Sequence, residues 1–250
     1  MGFRNMYNAI IVRFNSFEGN FLGVYSVGMK KQGLIFDLDG TLTLTQQYHY
    51  LAFQHVIAAH GGSYTEADDL GTYASMGSSI LFPTFFANHG RTLTEEEIKQ
   101  YGAEKREIYN TLIRQQPIEV VPGVVEFLEQ MKSRGTKMAV ASGNKLEAIE
   151  YLLEAAGIRK FFDLIMTAKE AGKPKPDPDI FLACAEKFGL PVEACVVFED
   201  AVAGIEAAER GGIASVGVVT RATPEALRAA GADLLINDYT EITPDIVDAL

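Results

Sequence analysis

The sequence predicts an α/β fold: a parallel β-sheet covered by helices on both faces, interrupted by an inserted all-helical module. Three observations carry this reading. From residue 120 onward, short apolar runs alternate with segments of helical period. Those apolar runs are nearly continuous rather than alternating with polar residues, as strands buried on both faces are. Between residues 45 and about 118, by contrast, only helical spacing occurs.

The first strand of the set is "LIF" at 34–36, which runs into "DLDG". "QQYHYLAFQHVIAAHGG" reads as a helix closed by Gly61 and Gly62. "TLTEEEIKQYGAEKREIYNTLIRQ" opens with Thr94 and Glu97 at capping-box spacing and keeps a helical apolar period. "VVPGVVEFLEQMKSRG" is a helix with Pro122 near its first turn and Gly135 at its end. The strands "TKMAVAS", "FDLIMT", "ACVVFED", "ASVGVV" and "DLLIND" then alternate with the helices "KLEAIEYLLEAAG", "DPDIFLACAEKFG", "AVAGIEAAERGG", "TPEALRAAG" and "EITPDIVDAL". The chain therefore divides into an extension of unassigned role at 1–29, an α/β core at 30–44 and 119–250, and a helical module at 45–118. Met29 directly precedes Lys30, Lys31 and the first core strand, which makes it a candidate functional start.

Composition narrows the function. Hydrophobic residues make up 48% and charged ones 22%, ordinary values for a soluble domain. A formal charge of −11 argues against nucleic-acid or anionic-membrane partners, so an anionic substrate needs a local positive site. Cys184 and Cys195 both sit among apolar residues, as small buried thiols of a reducing compartment do, and a cytoplasmic location is expected. No apolar run reaches the ~20 residues of a membrane span. The expected assembly is a monomer or weak homo-oligomer.

Ligands of open α/β sheets sit beyond the carboxyl ends of the strands. Polar groups collect there in this sequence. The first strand ends in Asp37 and Asp39, "MAVA" in Ser142, Gly143 and Asn144, and "VVF" in Glu199 and Asp200; the loop after "LIMT" carries Lys173. So many carboxylates at one edge call for a hard divalent cation with oxygen ligands, for which Mg²⁺ is the usual one. Lys173 then offers a point positive charge and Ser142 a hydroxyl, a set that suits a bound phosphoryl group. Asp37 is the natural nucleophile, forming an aspartyl-phosphate. Asp39 is placed to protonate the leaving oxygen and then deprotonate water. Lys175, between two prolines, is expected to be solvated.

"DLDGTL", "VASGN", "GKPKPDPDIF" and "VFEDAVAGIEAA", in that order, resemble the four motifs of the haloacid dehalogenase superfamily. The inserted module and the "FED" ending are similar to its β-phosphoglucomutase-like sugar phosphatase branch. This resemblance, over residues 31–250, implies a Rossmann-like doubly wound core with a four-helix cap. It implies Asp37 as nucleophile and Asp39 as general acid/base, with Mg²⁺ held by Asp37, the main-chain carbonyl of Asp39, Asp200 and Glu199. Ser142, Gly143, Asn144 and Lys173 would bind phosphate, and Thr45, His49 and Lys105 would meet substrate or take part in cap closure. Three departures stand out. Leu44 replaces the branch's usual aspartate, Ala201 its usual serine, and Ile80 falls about where the mutase has an arginine for a second phosphate.

Competing readings are weaker. A calcium loop starting at Asp37 would need a glutamate at its twelfth position, where Tyr48 stands. Taken alone, Ser142 could cap a helix and Lys173 could be a solvated loop residue. The sequence thus predicts a Mg²⁺-dependent phosphatase of small phosphorylated metabolites, sugar phosphates foremost. The alternatives are a phosphomutase using the same aspartyl-phosphate and, further off, a non-enzymatic phospho-accepting switch.

Overall fold

The computed structural model describes residues 9–16, 19–26, 30–73 and 76–250. Within the stretch read as an extension, β1 (Ala9–Ser16) and β2 (Gly19–Ser26) pair antiparallel, with Ala9 opposite Ser26 and Ser16 opposite Gly19. The remainder of 1–29 lies outside the described residues.

The core begins at β3 (Gly33–Phe36). Four helices follow before the sheet resumes: α1 (Gln46–Ala59), α2 (Glu66–Leu70), α3 (Ser78–Asn88) and α4 (Glu95–Gln115). Then come α5 (Val124–Ser133), β4 (Lys137–Ser142), α6 (Leu146–Ala155), β5 (Leu164–Thr167), α7 (Ala168–Ala171) and α8 (Asp179–Phe188). The chain ends with β6 (Cys195–Glu199), α9 (Val202–Arg210), β7 (Ala214–Val218), α10 (Pro224–Ala229), β8 (Leu234–Ile236) and α11 (Pro244–Asp248). Every strand expected from the apolar runs is present. The sequence reading had not marked α2 and α3 as separate helices. One has only five residues, and the other, "SSILFPTFFAN", is apolar on nearly every side and carries Pro83, so no helical stripe stands out.

The sheet is a six-stranded, all-parallel, Rossmann-like arrangement in the order β5-β4-β3-β6-β7-β8. Strand alternation feeds two separate cores. Leu34, Phe36, Val140, Val196 and Phe198 enter one with Phe127, Leu152 and Tyr239; Ile35, Ala139, Ala141 and Val197 enter the other with Phe181, Ala207 and Ala208. Phe36 stacks on Phe198 across the β3–β6 pair, ring centroids 4.8 Å apart. The helices after β3 keep a third, aromatic-rich core of their own, including Phe53, Tyr64, Phe82, Phe85 and Tyr101.

This order positions the site. The chain steps outward from β3 to β4 and β5, then returns to the other side of β3 for β6. Loops leaving β3 and its two neighbours part there and open a crevice at their carboxyl ends. Among the described residues no helix is long and apolar enough to cross a membrane.

Candidate active site

Asp37 extends β3, its N–H donating to the Phe198 carbonyl at 2.9 Å, and Leu38 is fully buried. The backbone then turns sharply at Gly40, whose φ is +93°. A Cβ there would stand 2.1 Å from an Asp200 oxygen and closer still to Gln46, so only glycine fits. The turn sends the two aspartates to different neighbours.

Asp37 faces the core. Its Oδ1 accepts from Lys175 Nζ at 2.6 Å, and the same ammonium donates to Glu199 Oε1 at 2.5 Å and to the Ala141 carbonyl at 3.0 Å. One lysine thus ties together the ends of β3, β4 and β6. This corrects the sequence expectation, which places Lys173 at this edge as a phosphate ligand and leaves Lys175 in solvent. Lys173 points outward, its side chain 67% exposed and 3.6 Å from Asp177. Lys175, two residues further along the loop, folds back under the strand ends with its ammonium over the Phe181 ring.

Asp37, Glu199 and Asp200 each offer an oxygen within 4.8 Å of the other two. Gly204 on α9 makes this possible, because a Cβ there would meet the Glu199 carboxyl at 2.0 Å. Burial raises all three carboxyls; repulsion from Asp39 adds to it at Asp37, and repulsion from Asp37 adds to it at Glu199 and Asp200, so that Glu199 is pushed up to about 7 despite Lys175 beside it. One ammonium against three buried carboxylates leaves an excess of negative charge. Hard, closely spaced oxygens with that excess fit a divalent cation such as Mg²⁺. Gln46 Nε2 donates to Asp200 Oδ2 at 3.1 Å, fixing the carboxyl from the start of α1.

Asp39 turns instead toward the helical insert. Its Oδ1 accepts from Thr45 Oγ1 at 2.5 Å and Tyr109 Oη at 2.7 Å, and its Oδ2 from Asn144 Nδ2 at 2.6 Å. Thr45 is the N-cap residue of α1, yet its hydroxyl makes no capping bond because Asp39 takes it. His49 Nε2 lies 3.4 Å from the same Oδ1, and its ring stacks on Tyr109 at 4.1 Å. Lys105 Nζ sits 2.5 Å from His49 Nδ1, which places the ring proton on Nε2, facing Asp39. Burial opposes the charge on Asp39, but His49 and the hydroxyl donors outweigh it and hold the carboxyl well below the usual range. Burial also lowers Lys105, to about 8, and lowers His49.

Sequence reasoning missed Tyr109. Its only signal is that it follows Lys105 by four residues on α4, which puts the two on one face; the structure sets that face against His49 and Phe53 of α1. Tyr109→Phe removes one donor to Asp39 and lets its proton affinity rise. The acidic limb of the kcat/KM profile is expected to move to higher pH by about one unit, the equivalent of one charge-assisted bond. An unmoved limb would detach Tyr109 from Asp39.

Asp37, Asp39, His49, Lys105, Tyr109, Lys175, Glu199 and Asp200 line one cavity of about 390 Å³. Ser142, buried at the end of β4, accepts from the Asn144 N–H at 3.2 Å and, with Gly143, borders the cavity beside Lys175. Of the residues expected at the site, the structure brings together Asp37, Asp39, Thr45, His49, Lys105, Ser142, Gly143, Asn144, Glu199 and Asp200, and leaves Lys173 outside. Arg221 was not expected. It follows β7 and reaches the insert, with Nη2 3.1 Å from Asp69.

The parallel sheet, the carboxylate–ammonium cluster at its switch point and the helical insert over it are together those of a hydrolase with an α/β core. The haloacid dehalogenase-like hydrolase model matches residues 31–212, and the chain belongs to that family. The "Phosphorylated carbohydrates phosphatase" of Thermotoga maritima is 33% identical over 211 residues, covering 82% of this chain and 94% of that protein. The fructose-1-phosphate phosphatase YqaB of Escherichia coli is 33% identical over 186 residues, covering 74% and 95%. The crystal structure of β-phosphoglucomutase from Clostridium difficile superposes with a TM-score of 0.74 at 29% identity, over 85% of this chain and 93% of that one. The resemblance read from the four motifs is thereby borne out.

Proposed function

We propose that the protein is a Mg²⁺-dependent phosphatase of small phosphorylated metabolites, sugar phosphates foremost, working through an aspartyl-phosphate on Asp37. The observation that carries this is the parting of the two aspartates. Asp37 Oδ1 lies 2.6 Å from the Lys175 ammonium inside the acidic cluster, while Asp39 is held by Thr45, Tyr109 and Asn144 on the cap side. One is set as nucleophile and the other as acid/base. The relatives named as carbohydrate-phosphate phosphatases support the substrate class. Residues 45–118 act in this reading as the cap.

Asp37, Glu199 and Asp200 would hold the cation, which supplies positive charge for the phosphoryl oxygens. Lys175 steadies the Asp37 carboxylate and adds an ammonium beside the phosphoryl group. An Asp37 oxygen attacks phosphorus, and the bond from phosphorus to the leaving oxygen breaks. That oxygen takes the proton of Asp39, whose proton affinity rises as a dianionic phosphoryl group enters the cavity. Asp39 then removes a proton from water, the water oxygen attacks the phosphorus, and phosphate leaves with Asp37 restored. Lys105 and His49, above the cavity with Phe53 and Tyr109, would meet the leaving group.

A phosphomutase is the second reading, favoured by the β-phosphoglucomutase neighbour. Against it, Ile80 is 55% exposed where that mutase would bring a second-phosphate arginine. With Mg²⁺, glucose 1-phosphate and catalytic bisphosphate, phosphorus NMR is expected to show free phosphate over many turnovers. A screen of phosphorylated sugars, nucleotides and glycolate phosphate would then rank the substrates. An isomerised sugar phosphate as the sole product would establish the mutase, and a single labelling event without turnover would establish a switch.

A further inference from the structure

Two neighbouring residues of the loop after β7 tie it to different parts of the molecule. Thr220 Oγ1 donates to the Gly40 carbonyl at 2.6 Å and accepts from Gln46 Nε2 at 3.3 Å. The same Gln46 amide donates to Asp200 Oδ2 at 3.1 Å, and the Ala222 N–H donates to the Asp200 carbonyl at 3.3 Å. Both side-chain partners of Gln46 can only accept here, since Thr220 spends its proton on Gly40, so Nε2 rather than Oε1 faces them. Arg221 binds the insert instead. Its Nη2 donates to Asp69 Oδ2 on α2 at 3.1 Å, and Tyr64 Oη donates to Asp69 Oδ1 at 3.0 Å.

Chain position gives these contacts their meaning. Gln46 opens α1, so the donor that orients Asp200 belongs to the insert, while Asp200 itself follows β6 of the core. Swinging the insert off the sheet would draw Gln46 from Asp200 and part Asp69 from Arg221 in one movement. The ion pair is largely buried, its side chains 7% and 14% exposed. It is not locked, however. Arg221 Nε is buried with no partner among the described residues. An orphaned donor offsets part of what the pair contributes, which leaves the contact reversible.

We infer that the Thr220–Arg221 loop couples cation binding at Asp37, Glu199 and Asp200 to the seating of the insert on the core. A carboxyl held by Gln46 keeps its other oxygen in one place, as donors behind metal ligands do. A cation that favours this arrangement favours the seated insert, and the seated insert raises affinity for the cation by the same factor. Arg221 and Asp69 act through the loop and are positioning residues. The coupling rests on the cation reading of the acidic cluster and on residues 45–118 acting as a cap.

Calorimetric titration of Mg²⁺ into the full chain, without substrate, tests this. The isotherm that Asp200→Asn abolishes is the one to follow. Asp69→Asn/Arg221→Met removes the ion pair without changing the net charge, so the overall field of the protein is kept. It is expected to weaken Mg²⁺ binding roughly three- to fivefold, and Gln46→Ala about tenfold. In the Gln46→Ala background the pair substitution should cost less than about 1.5-fold more, because both act along one path. The reciprocal effect needs no substitution. Saturating Mg²⁺ is expected to slow hydrogen exchange at the α2 amides of the unmodified protein by roughly three- to fivefold, and to leave it unchanged in Gln46→Ala. Unaltered Mg²⁺ affinity in the charge-neutral pair variant overturns the coupling, as does α2 exchange indifferent to Mg²⁺. A pair effect that survives in full beside Gln46→Ala overturns it too. An unmodified protein that binds no Mg²⁺ at the cluster would instead sink the cation reading, and the coupling with it.

Discussion

Asp37→Asn is expected to lower Mg²⁺-dependent phosphate release by at least about 10⁴-fold, the scale on which losing a covalent nucleophile is felt. The amide matches the carboxylate in size and still accepts from Lys175, so the change removes nucleophilicity and little else. Its effect on folding has the opposite sign. Asp37 is raised by burial, with Asp39 adding repulsion, and it raises Glu199 and Asp200 in turn. Neutralising it relieves that repulsion, and Lys175 keeps Glu199 at 2.5 Å. The melting temperature without Mg²⁺ is therefore expected to hold or rise while activity vanishes. Acid-quenched mass spectrometry should find a phosphoryl adduct on the unmodified protein during turnover and none on the variant. Retained turnover in Asp37→Asn would remove the covalent mechanism altogether.

The parallel sheet and the gathering of polar groups at its carboxyl edge were legible in the sequence because they rest on local rules. Four-residue apolar runs such as "GLIF" leave a strand no polar face, so both faces must be covered. Strand periodicity then fixes where Asp37, Ser142 and Glu199 emerge. What the sequence withheld depends on how a loop or helix is aimed. In "GKPKP" two lysines stand two residues apart, and nothing local says which one folds back; Lys173 had the glycine beside it, and Lys175 has the contacts. Tyr109 and Gln46 reach Asp39 and Asp200 only because α4 and α1 are brought to the strand ends by the fold of the insert. Arg221 belongs with them, since its partner Asp69 lies 152 residues away.

The contrast between those two lysines gives the second large effect. Lys175 is 15% exposed, and its ammonium lies 2.6 Å from Asp37 and 2.5 Å from Glu199. The carboxylates outweigh the burial that would lower it, so it stays charged. Lys175→Met keeps the stem against Phe181 but leaves the buried carboxylates of Asp37, Glu199 and Asp200 without an ammonium. Removing one partner of a buried ion pair costs about 3–5 kcal/mol, and thermal unfolding in chelator should register a loss of that order. Mg²⁺ is expected to restore part of it, because a divalent cation relieves the same repulsion. Activity should remain about 10²–10³-fold down even at saturating Mg²⁺, since no ammonium then faces the phosphoryl group. Adding Glu199→Gln to Lys175→Met is expected to recover stability in chelator without recovering turnover, which separates the cost of uncompensated charge from the loss of catalysis. Lys173→Met, at a solvated ion pair, should change stability by no more than about 0.5 kcal/mol and activity by less than about twofold. Reversed results for the two lysines would return the phosphate-binding role to Lys173 and require the loop after β5 to take another path.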